Sequence, residues 1–428
     1  MADAMDSDGR HRPLRVFFLP FFAKGHLIPM TELACRMAAA RPEEVDATMV
    51  VTPANAALIA TTVTRAAARG YTVHVLCYPF PDVGMERGLE CLGVAPAHDV
   101  WPVYRAVDLS QTIHEALLLE HRPDAIVADV PFWWATDIAA ELGVPRLTFN
   151  PVGVFPQLAM KNLVTVRSEI IRAGDAAPPV SVPGLPGKEI SIPASELPNF
   201  LLWDDQLSIS WDRIKASQLA GFGVTVNTFV DLEQTYCHEF SRVDVRRAYF
   251  VGPVSMSSNT AVHCGGDGND ECLRWLSTKP SRSVVYVCFG SWAYFSPQQL
   301  AVLAHPSVGA FVSHCGWNSV LTWPLMFEQF INERLVTEVV AFGARVWGGG
   351  KRSVREGELE TVPAEAVTRA VAGIMARGGD GDKARARARE LAERARAEVG
   401  EGGSSWRDIH CLIDDLTEAM ASREPQLQ

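Results

Sequence analysis

Short apolar segments alternate with amphipathic segments through the first third of the chain, and this alternation constrains the fold more than any other feature. Apolar runs at 14–18, 47–52 and 124–128 are separated by segments whose apolar residues recur at helical spacing, as at 26–40. Strands that are apolar on both faces belong in a parallel sheet that is covered by helices. The sequence therefore predicts an α/β fold built from βαβ units.

Length and charge limit the possible classes of protein. With 428 residues the chain is long enough for two domains, and its net charge of −11 argues against a nucleic-acid binder, which presents a basic face. The nine cysteines are odd in number and form no CxxC pair, which favours free thiols in a reducing compartment. The polar N-terminus does not match a secretory signal, and no segment reaches the ~20 apolar residues of a membrane span, so we expect a cytoplasmic protein.

Two ionisable residues are expected at the same edge of the sheet. His26 lies where the loop after the first strand becomes a helix, and Asp129 ends a later strand. Ligands of open α/β sheets bind beyond the carboxyl ends of the strands. A helix N-terminus lowers the pKa of a histidine, so a neutral His26 can act as general base while Asp129 fixes its tautomer. The residues alone leave a second interpretation open, in which His26 only hydrates a helix start and Asp129 only caps one.

A second group of polar residues is concentrated between positions 291 and 329. Loop 314–319 and the Ser291 hydroxyl can receive phosphate oxygens at a helix start, and Glu328-Gln329 can hold two adjacent sugar hydroxyls. Each has a simpler alternative, a polar turn for the loop and a solvated pair for Glu328 and Gln329. The GxGxxG, P-loop, HExxH and GxSxG fingerprints are absent, and the histidines are not spaced for zinc.

The same stretch contains a connection that is too short for an ordinary crossover. An apolar run at 309–313 leads into the polar loop, and Thr322-Trp323-Pro324-Leu325 already resembles the end of a second strand. A parallel crossover needs at least ~10–12 residues and is usually a helix. We therefore expect that the two strands cannot be parallel neighbours by the usual right-handed route, and that this region is rearranged, poorly stable or both.

Several motifs together resemble the plant UDP-glycosyltransferases of family 1. His-Cys-Gly-Trp-Asn-Ser at 314–319, the Thr-Trp-Pro-Leu run, and Glu-Gln-Phe-x-Asn-Glu at 328–333 are similar to the signature box of that family. PFFAKGHLIPM at 20–30, VVYVCFGS at 284–291 and EGGSSWRD at 401–408 are similar to other stretches of it. The resemblance implies an α/β fold of two facing Rossmann-like domains, the GT-B type, of which the second lacks expected strand–helix segments.

The resemblance also implies how the chain is divided. The first domain would bind the acceptor and the second the UDP-sugar. The composition of the Pro- and Gly-rich stretch 174–198 is interpreted as a long surface loop that could cover a cleft. The predicted parts are a disordered tail at 1–13, an acceptor domain at 14–250, a linker at 251–270, a shortened UDP-sugar domain at 271–405 and a C-terminal helix at 406–428 that packs back on the first domain.

Individual residues acquire roles by the same resemblance. His26 matches the catalytic base of the family, and Asp129 matches its partner. A Gln at position 329 usually accompanies UDP-glucose rather than UDP-galactose. The positions that match donor contacts are Ser291, His314, Asn318 and Ser319 for the diphosphate, Trp317 for holding the donor, and Trp323, Glu328 and Gln329 for the sugar.

The implied function is inverting transfer of glucose from UDP-glucose to a hydroxyl of a small plant metabolite of the flavonoid, phenolic or terpenoid type. His26 would take the hydroxyl proton, and the oxygen would attack the anomeric carbon from the face opposite UDP, giving a β-glucoside. UDP-glucose is a co-substrate, so no cofactor and no metal are expected. The expected partners are this donor and a small hydrophobic hydroxylated acceptor, without nucleic acid and without a membrane span.

Two stretches of the family pattern have no counterpart here. One is a helix and turn after the Asn-Ser pair, with a Glu that grips the ribose, and the other is a strand–helix pair near residue 300, with a Trp that stacks on uracil. The lost contacts are worth roughly 3–6 kcal/mol, or about 10²–10⁴-fold in donor affinity. Two hypotheses follow: an impaired glycosyltransferase, or a non-catalytic binding protein or truncated gene product.

Overall fold

The structure is a computed structural model that describes residues 12–92, 100–174, 178–256, 270–288, 307–313, 321–355, 358, 360–376 and 378–423. Within these residues lie one parallel sheet of seven strands, one parallel sheet of four strands, and a two-stranded antiparallel hairpin. The larger sheet is formed before residue 256 and the smaller one after residue 270. The predicted α/β class with a Rossmann-like sheet in each half is therefore confirmed.

The first half of the chain supplies the larger sheet. Its order is such that the second and third strands of the chain extend to one side of the first strand, and the later strands extend to the other side. Ligands of such sheets bind in the crevice at this reversal. The strands are β1 Leu14–Leu19, β2 Val45–Val51, β3 Val73–Cys77, β4 Ala125–Asp129, β5 Arg146–Asn150, β6 Val180–Ser181, β7 Ser191–Ile192, β8 Gly223–Val226 and β9 Ala248–Phe250, and the sheet order is β3-β2-β1-β4-β5-β8-β9, with β6 and β7 forming the hairpin.

Helices connect these strands and continue through the second half. In β1, Val16 and Phe18 enter one apolar core while Phe17 and Leu19 enter another, which is why this strand is apolar on both faces. The helices are α1 Lys24–Ala40, α2 Pro53–Ala68, α3 Val100–His121, α4 Ala135–Leu142, α5 Val154–Val164, α6 Arg167–Ala173, α7 Gln206–Ala220, α8 Val230–Val243, α9 Asp270–Ser277, α10 Gln329–Arg334, α11 Ala364–Met375, α12 Asp380–Val399 and α13 Ser404–Arg423.

The stretch 174–198 is more deeply packed than the surface loop expected from its composition. The strands β6 and β7 lie within it, and two short 3-10 turns follow at Ala194–Glu196 and Asn199–Leu201. Ile190, Ile192 and Leu197 have no exposed surface and belong to the same apolar core as α5 and α8. Isolated apolar side chains among prolines and glycines gave no periodic signal, so their burial could not be predicted from the sequence pattern.

The smaller sheet consists of β10 Val284–Cys288, β11 Val308–Ser313, β12 Leu321–Thr322 and β13 Ala344–Arg345, in that order and all parallel. The expectation that the strands on either side of 314–320 cannot be parallel neighbours is wrong, because Val312 pairs with Leu321 and Ser313 with Thr322.

The reason lies in the length of the second strand. Because β12 has two residues and pairs only with the carboxyl end of β11, the chain does not have to return along the whole length of β11. The intervening residues 314–320, which lie outside the described part, span up to ~25 Å at ~3.3–3.6 Å each, and the neighbouring strand lies only ~4.8 Å away. A crossover helix is required only when both strands are long.

The last helix returns to the first half of the chain. On α13, Ile409, Leu412 and Leu416 are buried in the apolar core beneath β1 and β2. The Asp408 carboxylate accepts the Phe250 N–H at 2.6 Å, which ties the helix to the end of β9. Most of the predicted linker, residues 257–269, and most of the predicted tail, residues 1–11, lie outside the described part. In the part that is described, no helix combines the length and the apolar character needed to cross a membrane.

Candidate active site

Two adjacent parallel strands bring His26 and Asp129 to one edge of the larger sheet. Strand β4 pairs directly with β1, and the order of the sheet reverses between them. His26 lies in the first turn of α1, which follows β1 after a four-residue loop, and Asp129 is the last residue of β4. The crevice predicted from topology therefore contains both side chains.

The two side chains form a hydrogen-bonded dyad. The His26 Nδ1 atom lies 2.9 Å from the Asp129 Oδ1 atom. A carboxylate only accepts hydrogen bonds, so Nδ1 carries the proton and Nε2 keeps the lone pair that can take another. His26 leaves 29% of its side chain exposed, whereas Asp129 has none exposed. This is the arrangement of a base that is oriented by a buried acid.

Backbone amides hold the acid in place. Asp129 Oδ2 accepts the Phe21 N–H at 3.1 Å, and Oδ1 accepts the Val130 N–H at 2.8 Å. These charge-assisted bonds compensate for the burial of the carboxylate and fix its direction. The Asp129 side chain can therefore orient the imidazole without rotating away from it.

The pKa of His26 differs from the expectation. The sequence argument predicts a lowered pKa at the helix N-terminus, but the pKa is raised above the usual value of 6.5. Burial lowers the pKa, and the charge and hydrogen bond of Asp129, together with the charge of Glu328, outweigh that effect. The Asp129 partner that makes His26 a good base thus also stabilises its protonated form.

Aromatic rings surround the dyad on its open side. The Phe21 ring meets the His26 ring edge-on at 5.2 Å, and the Tyr104 ring lies 5.5 Å from Phe21. Tyr104 is 43% exposed, so an apolar ligand beside His26 can contact it. Phe132 and Trp134 are fully buried in the core next to His114.

Glu328 brings the second half of the chain to the same place. It lies just before α10, is half-buried, and its charge acts on both His26 and Tyr104. Burial raises the pKa of Glu328 to about 7, although its own backbone N–H and His26 oppose the rise. The charge of the residue predicted to contact a sugar therefore acts on the residue predicted to be the base.

Gln329 and Trp323, two further residues predicted to contact the sugar, have their contacts within the second half of the chain. Gln329 Oε1 accepts the N–H groups of Leu325 and Met326 at 2.8 and 3.1 Å, so this amide oxygen organises the turn that precedes α10. Trp323 is half-buried and lines a cavity of about 270 Å³ together with Trp347.

The other predicted donor contacts, Ser291, His314, Trp317, Asn318 and Ser319, lie outside the described residues. Among the described residues, no group of three or more His, Cys, Asp or Glu is placed to hold a metal ion.

Comparison with known proteins identifies the family. No protein-family model matches the chain. It is 33% identical to the anthocyanin 3'-O-beta-glucosyltransferase of Gentiana triflora, over 94% of this chain and 98% of that protein. It is 32% identical to the UDP-glucose flavonoid 3-O-glucosyltransferase 7 of Fragaria ananassa, over 95% and 96%. The chain belongs to the plant UDP-glycosyltransferases.

Solved structures of plant UDP-glycosyltransferases have the same fold. UGT73P12 of Glycyrrhiza uralensis, solved with glycyrrhetinic acid 3-O-monoglucuronide, is 30% identical with a TM-score of 0.86, over 97% of this chain and 98% of that one. UGT71G1 of Medicago truncatula, solved with UDP-glucose, is 21% identical with a TM-score of 0.75, over 95% and 98%. The expected GT-B fold and membership of the UDP-glycosyltransferases are therefore confirmed.

The comparison also bears on the missing stretches. The alignment with the Gentiana triflora relative extends over 481 positions, whereas this chain has 428 residues. Since the alignment covers 98% of that relative, the relative carries internal segments that this UDP-glycosyltransferase lacks.

Some residues of the site were not found from the sequence. Phe21 directly follows the first strand, so the loop position of an aromatic residue was an available signal. Tyr104 lies on α3, which is distant in sequence from His26, and a helical tyrosine gave no signal. The proximity of Glu328 to His26 depends on how the two halves face each other, which no local pattern encodes.

Proposed function

We propose that this UDP-glycosyltransferase transfers glucose from UDP-glucose to a hydroxyl of a small aromatic or terpenoid plant metabolite, with inversion at the anomeric carbon. The observation that carries the proposal is the His26–Asp129 hydrogen bond at the crevice of the larger sheet, and the charge of Glu328 from the other half acts on His26. The curated relatives support the donor and the acceptor class, because their names specify glucosyl transfer to an anthocyanin and to a flavonoid.

In the proposed mechanism, His26 Nε2 takes the proton of the acceptor hydroxyl while Nδ1 donates to Asp129. The carboxylate stabilises the imidazolium that forms, as in other acid–base dyads. The acceptor oxygen forms a bond to the anomeric carbon as the bond from that carbon to the UDP oxygen breaks, and UDP leaves with the electron pair. Phe21 and Tyr104 provide apolar contact for the acceptor rings.

On the donor side, we propose that Glu328 and Gln329 bind hydroxyls of the glucose. Glu328 is suited to this because its charge acts on His26, so a sugar bound to it would lie on the side of the second half from which the donor is proposed to approach the base. Trp323, Ser291 and the 314–319 loop are proposed as further donor contacts. No resident metal is part of the proposal, because charge on the leaving diphosphate can be met by hydrogen-bond donors.

A second function is favoured by the internal segments that this chain lacks. A protein that has kept the acceptor pocket and lost donor contacts would bind small hydroxylated metabolites without transferring sugar. The difference between the two functions lies entirely in the affinity for the donor.

Calorimetry with UDP, followed by reactions with UDP-glucose and a panel of flavonoids and other plant phenols, tests the proposal. We expect UDP to bind at micromolar strength and mass spectrometry to detect products heavier by one hexose unit. A folded protein that shows no heat with millimolar UDP, and no product with any acceptor, would favour the binding protein instead.

A further inference from the structure

A buried network of ion pairs connects the two halves of the molecule behind the candidate active site. Its acidic members are Glu196, Glu333 and Glu338, and its basic members are Arg334, Arg345 and Arg352. Glu196 comes from the 3-10 turn in the first half, and the other five come from the second half. We call this set the interdomain ion network.

Glu196 binds two arginines of the other half. Its Oε2 atom lies 2.5 Å from Arg334 Nη2, and its Oε1 atom lies 3.0 Å from Arg352 Nε. Both carboxylate oxygens are thus engaged by charged donors, which is the strong form of hydrogen bond. Next to this contact, the Val354 N–H donates to the Ser195 carbonyl at 2.8 Å, so the backbones also meet.

Glu333 binds the same arginines from the other side. Its Oε2 atom lies 2.9 Å from Arg334 Nη1 and 2.9 Å from Arg345 Nε, and it also contacts Arg352. Its Oε1 atom accepts the Thr322 hydroxyl at 2.8 Å, which connects the network to β12. The geometry of the network is therefore set by many bonds to each charged group.

The central ion pairs of the network are buried, which increases the energetic cost of removing one partner. Glu333 has no exposed surface, and Glu196 and Arg334 are each 5% exposed. Exposed ion pairs contribute little to stability, whereas removal of one partner of a buried pair leaves an uncompensated charge. The more exposed Lys188 adds a further positive charge 3.4 Å from Glu338. Loss of the Glu196 carboxylate therefore leaves an excess of positive charge beside the buried Arg334.

The network contacts α10 at the end opposite the candidate site. Glu333 and Arg334 end this helix, Gln329 begins it, and Glu328 directly precedes it. With a rise of ~1.5 Å per residue, about 9 Å separates Glu328 from Arg334 along the axis. A helix this short moves as one body, so fixing one end also fixes the other.

We propose that Glu196 is a positioning residue of the glycosyltransferase reaction, holding α10 and the adjoining Glu328 in place relative to the first half of the chain. The proposal rests on the proposed function for its catalytic consequence, but the positioning itself can be observed without any turnover. Glu196 does not touch the reacting groups, and it acts through Arg334 and Arg352 on the helix that carries the sugar contacts.

Hydrogen–deuterium exchange of the full chain tests the positioning directly. In Glu196→Gln, which keeps the shape of the side chain and removes its charge, we expect amide exchange in 329–339 and 350–355 to rise roughly tenfold or more relative to wild type. The matched control is Asp244→Asn, since Asp244 is 1% exposed and pairs with Lys161 and Lys215 inside the first half. The control is expected to leave exchange in those two segments unchanged.

Unchanged exchange in Glu196→Gln, or an equal rise in both variants, would overturn the proposal. If Glu196→Gln does not fold, Arg352→Lys replaces it, because a lysine keeps the charge and loses the second nitrogen that reaches Glu333. The same local rise in exchange is then expected.

Transfer assays add the catalytic readout. If the wild type transfers glucose, we expect Glu196→Gln to lower kcat/KM for UDP-glucose by about 10–100-fold while the KM for the acceptor changes little. If the wild type shows no transfer, the proposed function fails, and the exchange result alone still decides whether Glu196 positions α10.

Discussion

The two sheets of this glycosyltransferase offer unequal support to the candidate site. Strands of five to seven residues form the centre of the larger sheet, and three extensive apolar cores surround it. In the smaller sheet, β12 and β13 have two residues each, and its own core contains six buried apolar residues among those described. Val287 of β10 is 55% exposed, whereas Val127 of β4 has no exposed surface. Burial of apolar area is the main source of stability, so the larger sheet is the firmer support.

The difference is reflected in how each half holds its functional groups. In the larger sheet, the dyad is fixed by the strand ends themselves, through the Asp129 bonds to Phe21 and Val130. In the smaller one, Glu328 directly precedes a six-residue helix that is held by ion pairs to Glu196 of the other half. We therefore expect the proposed acid–base chemistry to depend on the first sheet and the proposed sugar contacts to depend on the interface.

The largest effect is expected from removal of the base. His26→Ala should lower kcat/KM by about 10²–10⁴-fold, because positioned proton transfer contributes that much to enzymatic rates. The chain offers a matched control in His74→Ala, since His74 also lies near a carboxylate, with its Nε2 atom 3.5 Å from Asp46 Oδ1, but is 59% exposed on β3. Initial rates with saturating UDP-glucose measure both variants. Comparable losses of kcat/KM in the two variants would mean that His26 is not the general base.

The next effect concerns stability and compares the sheets directly. Val127→Ala should lower the free energy of unfolding by about 2–3 kcal/mol, because it deletes fully buried methyl groups and leaves a cavity. Val287→Ala should lower it by about 0.5 kcal/mol or less, as expected for a surface substitution. Urea denaturation followed by circular dichroism measures both. Equal losses of unfolding free energy in the two variants would contradict the inference that the larger sheet contributes more to stability than β10 does.

Much of the first sheet could be predicted from the sequence, because its strands are apolar on both faces and its helices keep a clear period. His26 and Asp129 could be paired by topology, since both follow strands that end at the same edge. The sign of the pKa shift of His26 could not be predicted, because it depends on the charges of Asp129 and Glu328 in three dimensions.

The second half was harder to predict for two physical reasons. The rule that parallel strands need a long crossover assumes strands of ordinary length, and β12 has two residues. The interdomain ion network joins residues from 196 to 352, and charged residues in separate segments give no periodic signal before the chain folds. Sequence patterns report local structure, whereas the Glu196 ion pairs depend on how the two halves meet.

The smallest effect is a shift in pH dependence that connects the two halves. His26 acts as a base only when it is unprotonated, so kcat/KM should rise with pH through its pKa, which lies above 6.5. The negative charge of Glu328, which is present above its own pKa of about 7, is one of the causes that raise this pKa. In Glu328→Gln the rise should therefore move to lower pH, in addition to any loss of rate from a weaker sugar contact. Rates measured from pH 5 to 9 give the midpoint.

Gln329→Ala is the control that separates charge from sugar binding. It removes a proposed sugar contact and two turn hydrogen bonds without changing any charge, so its rate should fall while its midpoint stays with the wild type. A midpoint that is unmoved in Glu328→Gln, or that moves to higher pH, would show that the second half exerts no charge effect on the base. In that case the Glu328 carboxylate lies too far from His26 for its charge to act on the base, and Asp129 alone sets the pKa shift of His26.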